Sequence, residues 1–197
     1  MRNVVAYVKT LDKTRPVTAA ISRQFYEDKV VQHLDVVGVN RYYGWYRDSG
    51  RLEVVRTNTE NDMANWRHKH PSKPFLMMEY GADTYSGLHQ LPEYVWSEEY
   101  QISLMSENFK AFDNLRKKGW FIGEMIWNFA DFMTAQTSAR VGGNKKGIFT
   151  RDRQPKSSAH HVRRRYFALA QELDGYTLPE DLAPYVYTPV GNGTNYL

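Results

Sequence analysis

Glu79 is a carboxylate that stands where a buried strand is expected to end. It follows the four apolar residues 75–78, which Pro74 introduces. A carboxylate in this place must lie at the strand end, since an unpaired charge inside the sheet would be costly. There it could act as a nucleophile toward a sugar ring or form a structural ion pair with an arginine, and position alone favours neither role. Asp83 is the rival carboxylate, but its position indicates a loop residue.

The segment after the apolar run at residues 35–39 carries groups suited to a sugar. Asn40 could hydrogen-bond a sugar hydroxyl, while Tyr42 and Tyr46 could stack on a sugar ring or donate a hydrogen bond. The alternative is an aromatic loop that packs on its neighbours, and the segment taken by itself favours that alternative.

A comparable segment, residues 126–132, lies at the end of the strand predicted at residues 121–127. Trp127 is suited to form an apolar platform under a sugar ring, because its indole offers a wide flat face. Asp131 could be catalytic, but its place within the loop favours a role in bracing that loop.

A glycine-rich loop at residues 140–147 carries a carboxamide and an ammonium group. Asn144 and Lys146 lie two residues apart, so an extended backbone would place both side chains on one side. An amide and an ammonium together suit a small carboxylate. The alternative is a basic surface turn, which the loop by itself favours. The spacing excludes a phosphate-binding loop of the GxxxxGK[ST] type.

These segments alternate with helices along the chain. The predicted strands lie at residues 17–21, 35–39, 75–78 and 121–127, and the predicted helices near residues 4–11, 52–69, 97–118 and 157–173. Such alternation indicates a parallel sheet covered by helices, either a doubly wound sheet or a (β/α)8 barrel. Since a complete barrel takes about 250 residues, four strands indicate a small α/β sheet or half a barrel.

Composition narrows the classes of function. The chain has 197 residues, a net charge of +4 and no cysteine, so disulfides and cysteine metal sites are excluded. The arginines at 163–165 favour a solvated helix face over a nucleic-acid site. The histidines show no metal-ligand spacing, so we expect no metal and no cofactor. Without a membrane-length apolar run or a signal-peptide pattern, we expect a soluble chain that binds neither membrane nor nucleic acid.

Taken together, five segments resemble the β-glucuronidases of glycoside hydrolase family 2. The segments are residues 40–46 (NRYYGWY), 79–84 (EYGADT), 96–101 (WSEEYQ), 127–132 (WNFADF) and 143–151 (GNKKGIFTR). The stretch Asn-Lys-Lys-Gly-Ile-Phe-Thr distinguishes glucuronidases from the galactosidases and mannosidases of the same family. The resemblance implies an α/β fold over residues 1–173: the C-terminal half, strands five to eight, of a (β/α)8 TIM barrel. Residues 174–197, rich in Pro, Gly and Tyr, are predicted to form an irregular C-terminal tail.

The resemblance also implies a role for each candidate residue. Glu79 matches the catalytic nucleophile of a retaining glycosidase. Asn144 and Lys146 match the pair that recognises the carboxylate of glucuronic acid. The other matching positions, which bind near the sugar, are Asn40, Tyr42, Tyr46, Trp127 and Arg140.

One part of the family pattern has no counterpart. The family's general acid/base is a glutamate in an Asn-Glu pair ending the fourth strand, and the sequence contains no Asn-Glu dipeptide. We therefore expect a β-glucuronidase segment that is inactive, or nearly so, by itself. Its expected partners are a small glucuronide or a glycan containing glucuronic acid, with a complementing N-terminal half or further copies of the chain. The alternatives are a non-catalytic module that binds sugar acids and half of a split enzyme.

Overall fold

The computed structural model describes residues 1–182. Its backbone divides into two compact units. The first is formed by residues 1–83 and 103–128, and the second by residues 84–102 and the described residues from 129 onward. Residues 175–182 form neither helix nor strand, and the rest of the predicted tail lies outside the described residues.

The first unit contains a four-stranded parallel sheet with the strand order β1-β2-β3-β4. The strands are β1 (Ala20–Ile21), β2 (Val37–Asn40), β3 (Phe75–Glu79) and β4 (Phe121–Glu124). The prediction of a parallel sheet of four strands is confirmed, and it is consistent with part of an α/β barrel.

β4 ends earlier than the apolar run that predicted it, at Glu124. The backbone nevertheless stays attached to β3 and to the residue that follows it. The Met125 N–H donates to the Met77 carbonyl at 2.8 Å, and the Trp127 N–H donates to the Tyr80 carbonyl at 2.9 Å. The apolar run therefore continues along the sheet edge, but without regular strand geometry.

Four α-helices accompany the strands. They are α1 (Arg2–Leu11), α2 (Val55–Lys69), α3 (Glu98–Arg116) and α4 (Ser157–Asp174). Each overlaps a predicted helix, and the predicted start of the second one forms a 3-10 turn at Leu52–Val54. Within residues 1–182, no helix combines the length and the apolar character needed to cross a membrane.

The core of the first unit is built around β3 and the apolar side chains of α3. Phe75 and Met77 of β3 are fully buried, and so is Tyr80, one residue beyond the strand. The Phe112 ring of α3 stacks on Phe121 with centroids 5.2 Å apart and meets the Tyr80 ring edge-on at 5.0 Å. Each large apolar side chain buried in this way stabilises the fold by about 1.5–3 kcal/mol. This packing fixes the direction of β3 and therefore of its final residue.

α2 buries one stripe of side chains at helical spacing. The buried residues are Val55, Thr59, Asp62, Met63 and Trp66. Asp62 is the exceptional member, because a buried carboxylate requires a partner. That partner lies just beyond the end of β2, as described below.

Ser97 caps the N-terminus of α3. The Ser97 Oγ accepts the Tyr100 N–H at 3.1 Å. Glu98 and Glu99 occupy the first turn, where the helix dipole favours negative charge.

The second unit is formed mainly by α4 and by loops held together through backbone pairs. α4 buries Ser158, Ala159 and Val162, and Gly175 ends it with φ 69°. The N–H groups of Phe132 and Asn144 donate to each other's carbonyls at 3.2 and 2.8 Å. This pairing anchors the loop that contains Asn144 and Lys146.

The free energy of unfolding should fall as the pH drops from about 6.5 toward 4. Burial, aided by the charges of Arg164 and Arg165, lowers the pKa of His161 to about 4 from its usual 6.5. Since the unfolded chain binds this proton at higher pH than the folded chain does, acid favours the unfolded state across that window. The loss should reach about 2 kcal/mol, discounted from the full shift because the ring is partly exposed.

Urea unfolding at pH 7 and pH 4.5 measures this loss. His161→Gln removes the titrating group, so its stability should change less between the two pH values than that of the wild type. An equal change in both proteins would contradict the assignment to His161.

Candidate active site

Glu79 is the final residue of β3 and pairs with Asn40, the final residue of β2, after a shift in register between Val39 and Asn40. The Tyr42 hydroxyl donates to Glu79 Oε2 at 2.6 Å. The Arg41 N–H donates to the Glu79 carbonyl at 2.8 Å, which ties the two strand ends together. Among the described residues Glu79 takes part in no ion pair, so nothing there supports the structural ion pair considered as its alternative role.

An open cleft of about 400 Å³ lies at these strand ends. This volume falls within the range of small-molecule sites. The cleft brings together four of the predicted site residues, Asn40, Tyr42, Tyr46 and Glu79. The Tyr42 and Tyr46 rings meet edge-on with centroids 5.3 Å apart, and Tyr46 remains 48% exposed, so its ring is accessible to a ligand.

The carboxamide of Asn40 has a buried acceptor atom. Asn40 Oδ1 has no hydrogen-bond partner within the part of the chain that the structure describes. A buried acceptor without a partner costs free energy. A hydroxyl group of a ligand in the cleft would remove that cost, and the role of Asn40 toward a sugar stays a prediction.

A buried ion pair lies behind the cleft and was not predicted from the sequence. Arg41 and Asp62 are each 5% exposed, and Arg41 Nε donates to Asp62 Oδ2. Arg41 also donates to the carbonyls of Ile21 at 3.2 Å and Asn40 at 2.6 Å. Its guanidinium therefore holds the backbone on which Asn40 and Tyr42 are mounted.

Tyr43 belongs to the same buried group. Burial, reinforced by the Asp62 carboxylate, raises the pKa of Tyr43 to about 12. Its hydroxyl therefore stays protonated throughout the neutral range.

Trp127 lies beside the end of β3 and is half-buried. The close approach of its carbonyl explains the glycine two residues after Glu79. A Cβ on Gly81, whose φ is +147°, would come within 2.6 Å of the Trp127 oxygen. The part played by Trp127 as an aromatic wall stays a prediction.

The second unit holds the remaining predicted residues. Asn144 is 2% exposed and Lys146 is fully buried, so the alternative of a basic surface turn is wrong for these two side chains. Asn144 Oδ1 accepts the Lys146 N–H at 3.0 Å. Arg140 is half-buried, and its guanidinium donates to the Ala139 carbonyl at 2.9 Å. The roles of all three residues toward a sugar acid stay predictions.

A second buried ion pair braces this loop, and it connects the loop to Asp131 of the segment that follows Trp127. Asp131 Oδ1 accepts from Lys156 Nζ at 2.9 Å and from the Gly147 N–H at 3.0 Å. Burial raises the pKa of Asp131 and lowers that of Lys156, while the attraction between the two charges opposes both shifts. Nothing in the sequence around Lys156 distinguishes it from a surface lysine.

Residues 1–182 contain no group of three or more histidine, aspartate or glutamate side chains placed to hold a metal ion.

A parallel α/β sheet whose strand ends present a carboxylate, a carboxamide and phenols to one cleft agrees with the place of active sites in barrel enzymes. Residues 1–171 match the family described as glycosyl hydrolases family 2, TIM barrel domain, and the chain belongs to that family.

Curated relatives are β-glucuronidases. The human enzyme is 46% identical over 172 residues, which cover 87% of this chain and 26% of the human protein. The enzyme of Rattus norvegicus is 46% identical over 175 residues, which cover 89% of this chain and 27% of the rat protein. The chain thus spans about a quarter of the length of these relatives.

Solved structures that are similar to this chain are also β-glucuronidases. The β-D-glucuronidase of Dictyoglomus thermophilum superposes with a TM-score of 0.79 at 44% identity, covering 84% of this chain and 28% of that structure. The β-glucuronidase of an uncultured Clostridium sp. gives a TM-score of 0.78 at 48% identity, covering 84% of this chain and 29% of that structure.

Proposed function

We propose that the chain carries the nucleophile and the sugar-acid recognition loop of a retaining β-glucuronidase. The observation that carries the proposal is the Glu79 carboxylate at the end of β3, which accepts a hydrogen bond from Tyr42 and lines a cleft shared with Asn40. Nucleophiles of barrel enzymes occupy the same position, at the carboxyl ends of strands. Family membership supports the reaction class.

In the proposed reaction, Glu79 Oε1 attacks the anomeric carbon of a β-glucuronide while the bond to the aglycone oxygen breaks. The leaving oxygen takes a proton from a second carboxyl group, which in retaining enzymes lies about 5–5.5 Å from the nucleophile. Water then gives a proton to that group and attacks the anomeric carbon. This step releases glucuronate with the β configuration and restores Glu79. Tyr42 bonds the other oxygen of the carboxylate and thereby orients it for attack.

We propose that a complementing segment supplies the second carboxyl group, because the Asn-Glu pair of the family has no counterpart in the sequence. Loss of general acid-base assistance alone slows such reactions by about 10²–10⁴-fold. The chain by itself should therefore hydrolyse glucuronides very slowly or not at all.

Lys146 and Asn144 are the proposed recognition groups for the sugar carboxylate. The Lys146 ammonium would donate a charge-assisted hydrogen bond to it. A β-glucuronidase of Ruminococcus gnavus has been solved with uronic isofagomine and with D-glucaro 1,5-lactone. Uronic and glucaric compounds are the ligand class that the proposed pair would select.

The test is hydrolysis of 4-nitrophenyl β-D-glucuronide by the purified chain, alone and with a complementing segment that carries the acid/base glutamate. Activity on complementation, with retained configuration of the product, is the expected result. A folded chain that shows no activity under either condition but binds glucuronate would instead be a sugar-acid-binding module. Absence of both activity and binding would overturn the proposal.

Lys146→Met should lower kcat/KM for 4-nitrophenyl β-D-glucuronide by about 100-fold, since it removes one charge-assisted bond of a buried site. The value for the corresponding β-glucoside, which lacks the carboxylate, should not fall. Lys73→Met is the control and should leave both values unchanged, because Lys73 Nζ donates to the Val31 carbonyl at 2.9 Å, in the loop before β2. Equal losses on both substrates in Lys146→Met would contradict a recognition role.

A further inference from the structure

Lys156 is a lysine whose ammonium group faces the protein interior. The residue is 1% exposed. Its Nζ donates to Asp131 Oδ1 at 2.9 Å, to the Thr84 carbonyl at 3.0 Å and to the Lys145 carbonyl at 3.0 Å. An ammonium group has three protons to donate. These three bonds use all of them, so Lys156 acts within the fold and not toward a ligand.

The bonds of this ion pair converge on the two peptide groups that flank Lys146. Lys156 holds the Lys145 carbonyl, which also accepts the Thr84 N–H at 3.0 Å. Asp131 holds the Gly147 N–H at 3.0 Å. The backbone is therefore clamped immediately before and immediately after Lys146.

Lys146 itself adds two further backbone bonds. Its N–H donates to Asn144 Oδ1 at 3.0 Å, and its carbonyl accepts from Gln101 Nε2 at 3.3 Å. The same Asn144 is the second proposed recognition residue, so the clamp also fixes the spacing between the two proposed groups.

We propose that the buried Lys156–Asp131 pair is a positioning device that aims Lys146 and thereby sets the preference for sugar acids over neutral sugars. This inference rests on the proposed function, which assigns Lys146 to the substrate carboxylate. The ammonium group of a lysine lies at the end of a flexible side chain, so it selects a carboxylate only when the backbone of that lysine is held in place. Displacements of about 1 Å can cost about 100-fold in rate. Lys156 and Asp131 touch no substrate in this scheme and act only through Lys146.

A purely structural brace would lower the amount of folded protein without changing its selectivity. The ratio of kcat/KM for 4-nitrophenyl β-D-glucuronide to that for the β-glucoside therefore distinguishes a positioning role from a purely structural one. Both substrates are measured on one preparation, so the fraction of active protein cancels from the ratio.

In the complemented chain, Lys156→Met should lower this ratio by about 10- to 100-fold, mainly through a higher KM for the glucuronide. Asp131→Asn keeps an oxygen acceptor for the Gly147 N–H, so it should lower the ratio less. Lys73→Met is the matched control, since Lys73 Nζ also donates to backbone carbonyls, those of Val31 and Leu34, but in the loop before β2. The control should leave the ratio unchanged.

An unchanged ratio in Lys156→Met, or an equal decrease in Lys73→Met, would overturn the positioning role while leaving the proposed function intact. A wild-type protein with no preference for the glucuronide would overturn the proposed function instead. Amide hydrogen exchange of the chain alone tests the clamp without any activity. Exchange of the Lys146 and Gly147 N–H groups should be at least about tenfold faster in Lys156→Met, less affected in Asp131→Asn and unchanged in Lys73→Met. Equal rates in all proteins would refute the clamp.

Discussion

Glu79→Gln should lower glucuronide hydrolysis by the complemented chain by at least roughly four orders of magnitude. The amide is nearly isosteric with the carboxylate, so the hydrogen bond from Tyr42 at 2.6 Å has an oxygen to accept it, and the cleft keeps its shape. What is lost is the charge and nucleophilicity that form the glycosyl-enzyme. Initial rates with 4-nitrophenyl β-D-glucuronide measure the loss, and circular dichroism checks that the variant is folded.

A second experiment separates a nucleophile from a residue that only supports the site. In Glu79→Ala, azide can enter the vacated space and attack the anomeric carbon from the same face while the bond to the aglycone oxygen breaks, giving an α-glucuronyl azide and 4-nitrophenolate. Asp83→Ala is the matched control, because Asp83 is the rival carboxylate and is fully buried. Azide rescue of the Asp83 variant, or wild-type rates in Glu79→Gln, would contradict the assignment.

Tyr42 should have a smaller effect than Glu79 in the same assay. Tyr42→Phe removes a single hydrogen bond to the carboxylate, which should cost about 1.5–3 kcal/mol of transition-state stabilisation, or roughly 10- to 100-fold in rate.

Asp62→Leu should destabilise the chain by about 3–5 kcal/mol, because it leaves the Arg41 guanidinium buried without its counter-charge. Arg41 lies 5.8 Å from the centroid of the Trp66 ring, so tryptophan fluorescence during urea unfolding reports on the affected region. The double variant Arg41→Met/Asp62→Leu should recover most of the loss, since apolar pairs often replace buried ion pairs without penalty.

Arg56→Gln is the control for this measurement. Arg56 lies on α2, the same helix as Asp62, and pairs with Glu60 at 3.1 Å on the exposed surface. Its loss should cost less than about 0.5 kcal/mol. Similar losses in Arg56→Gln and Asp62→Leu would show that the buried pair does not carry the stability assigned to it.

Features that depend on neighbours in sequence were predictable. The strand ending at Glu79 follows from the apolar run before it, and the helices near residues 97–118 and 157–173 follow from periodicity within one segment of chain. The residues at which the strands end were harder to predict. The apolar run that forms β4 continues past Glu124, and the sequence does not show where regular pairing stops.

Only the tertiary structure determined which polar side chains bond to each other. Tyr42 and Glu79 lie 37 residues apart in sequence, Lys156 and Asp131 lie 25 apart, and Arg41 and Asp62 lie 21 apart. Each pair exists because two elements become neighbours when the apolar side chains are buried. The sequence pattern within a single element does not show which other element will pack against it. The sequence by itself therefore determined the class of fold and the candidate groups. The packing decided which of those groups are held in place, because a charge can be buried only where its partner arrives from elsewhere in the chain.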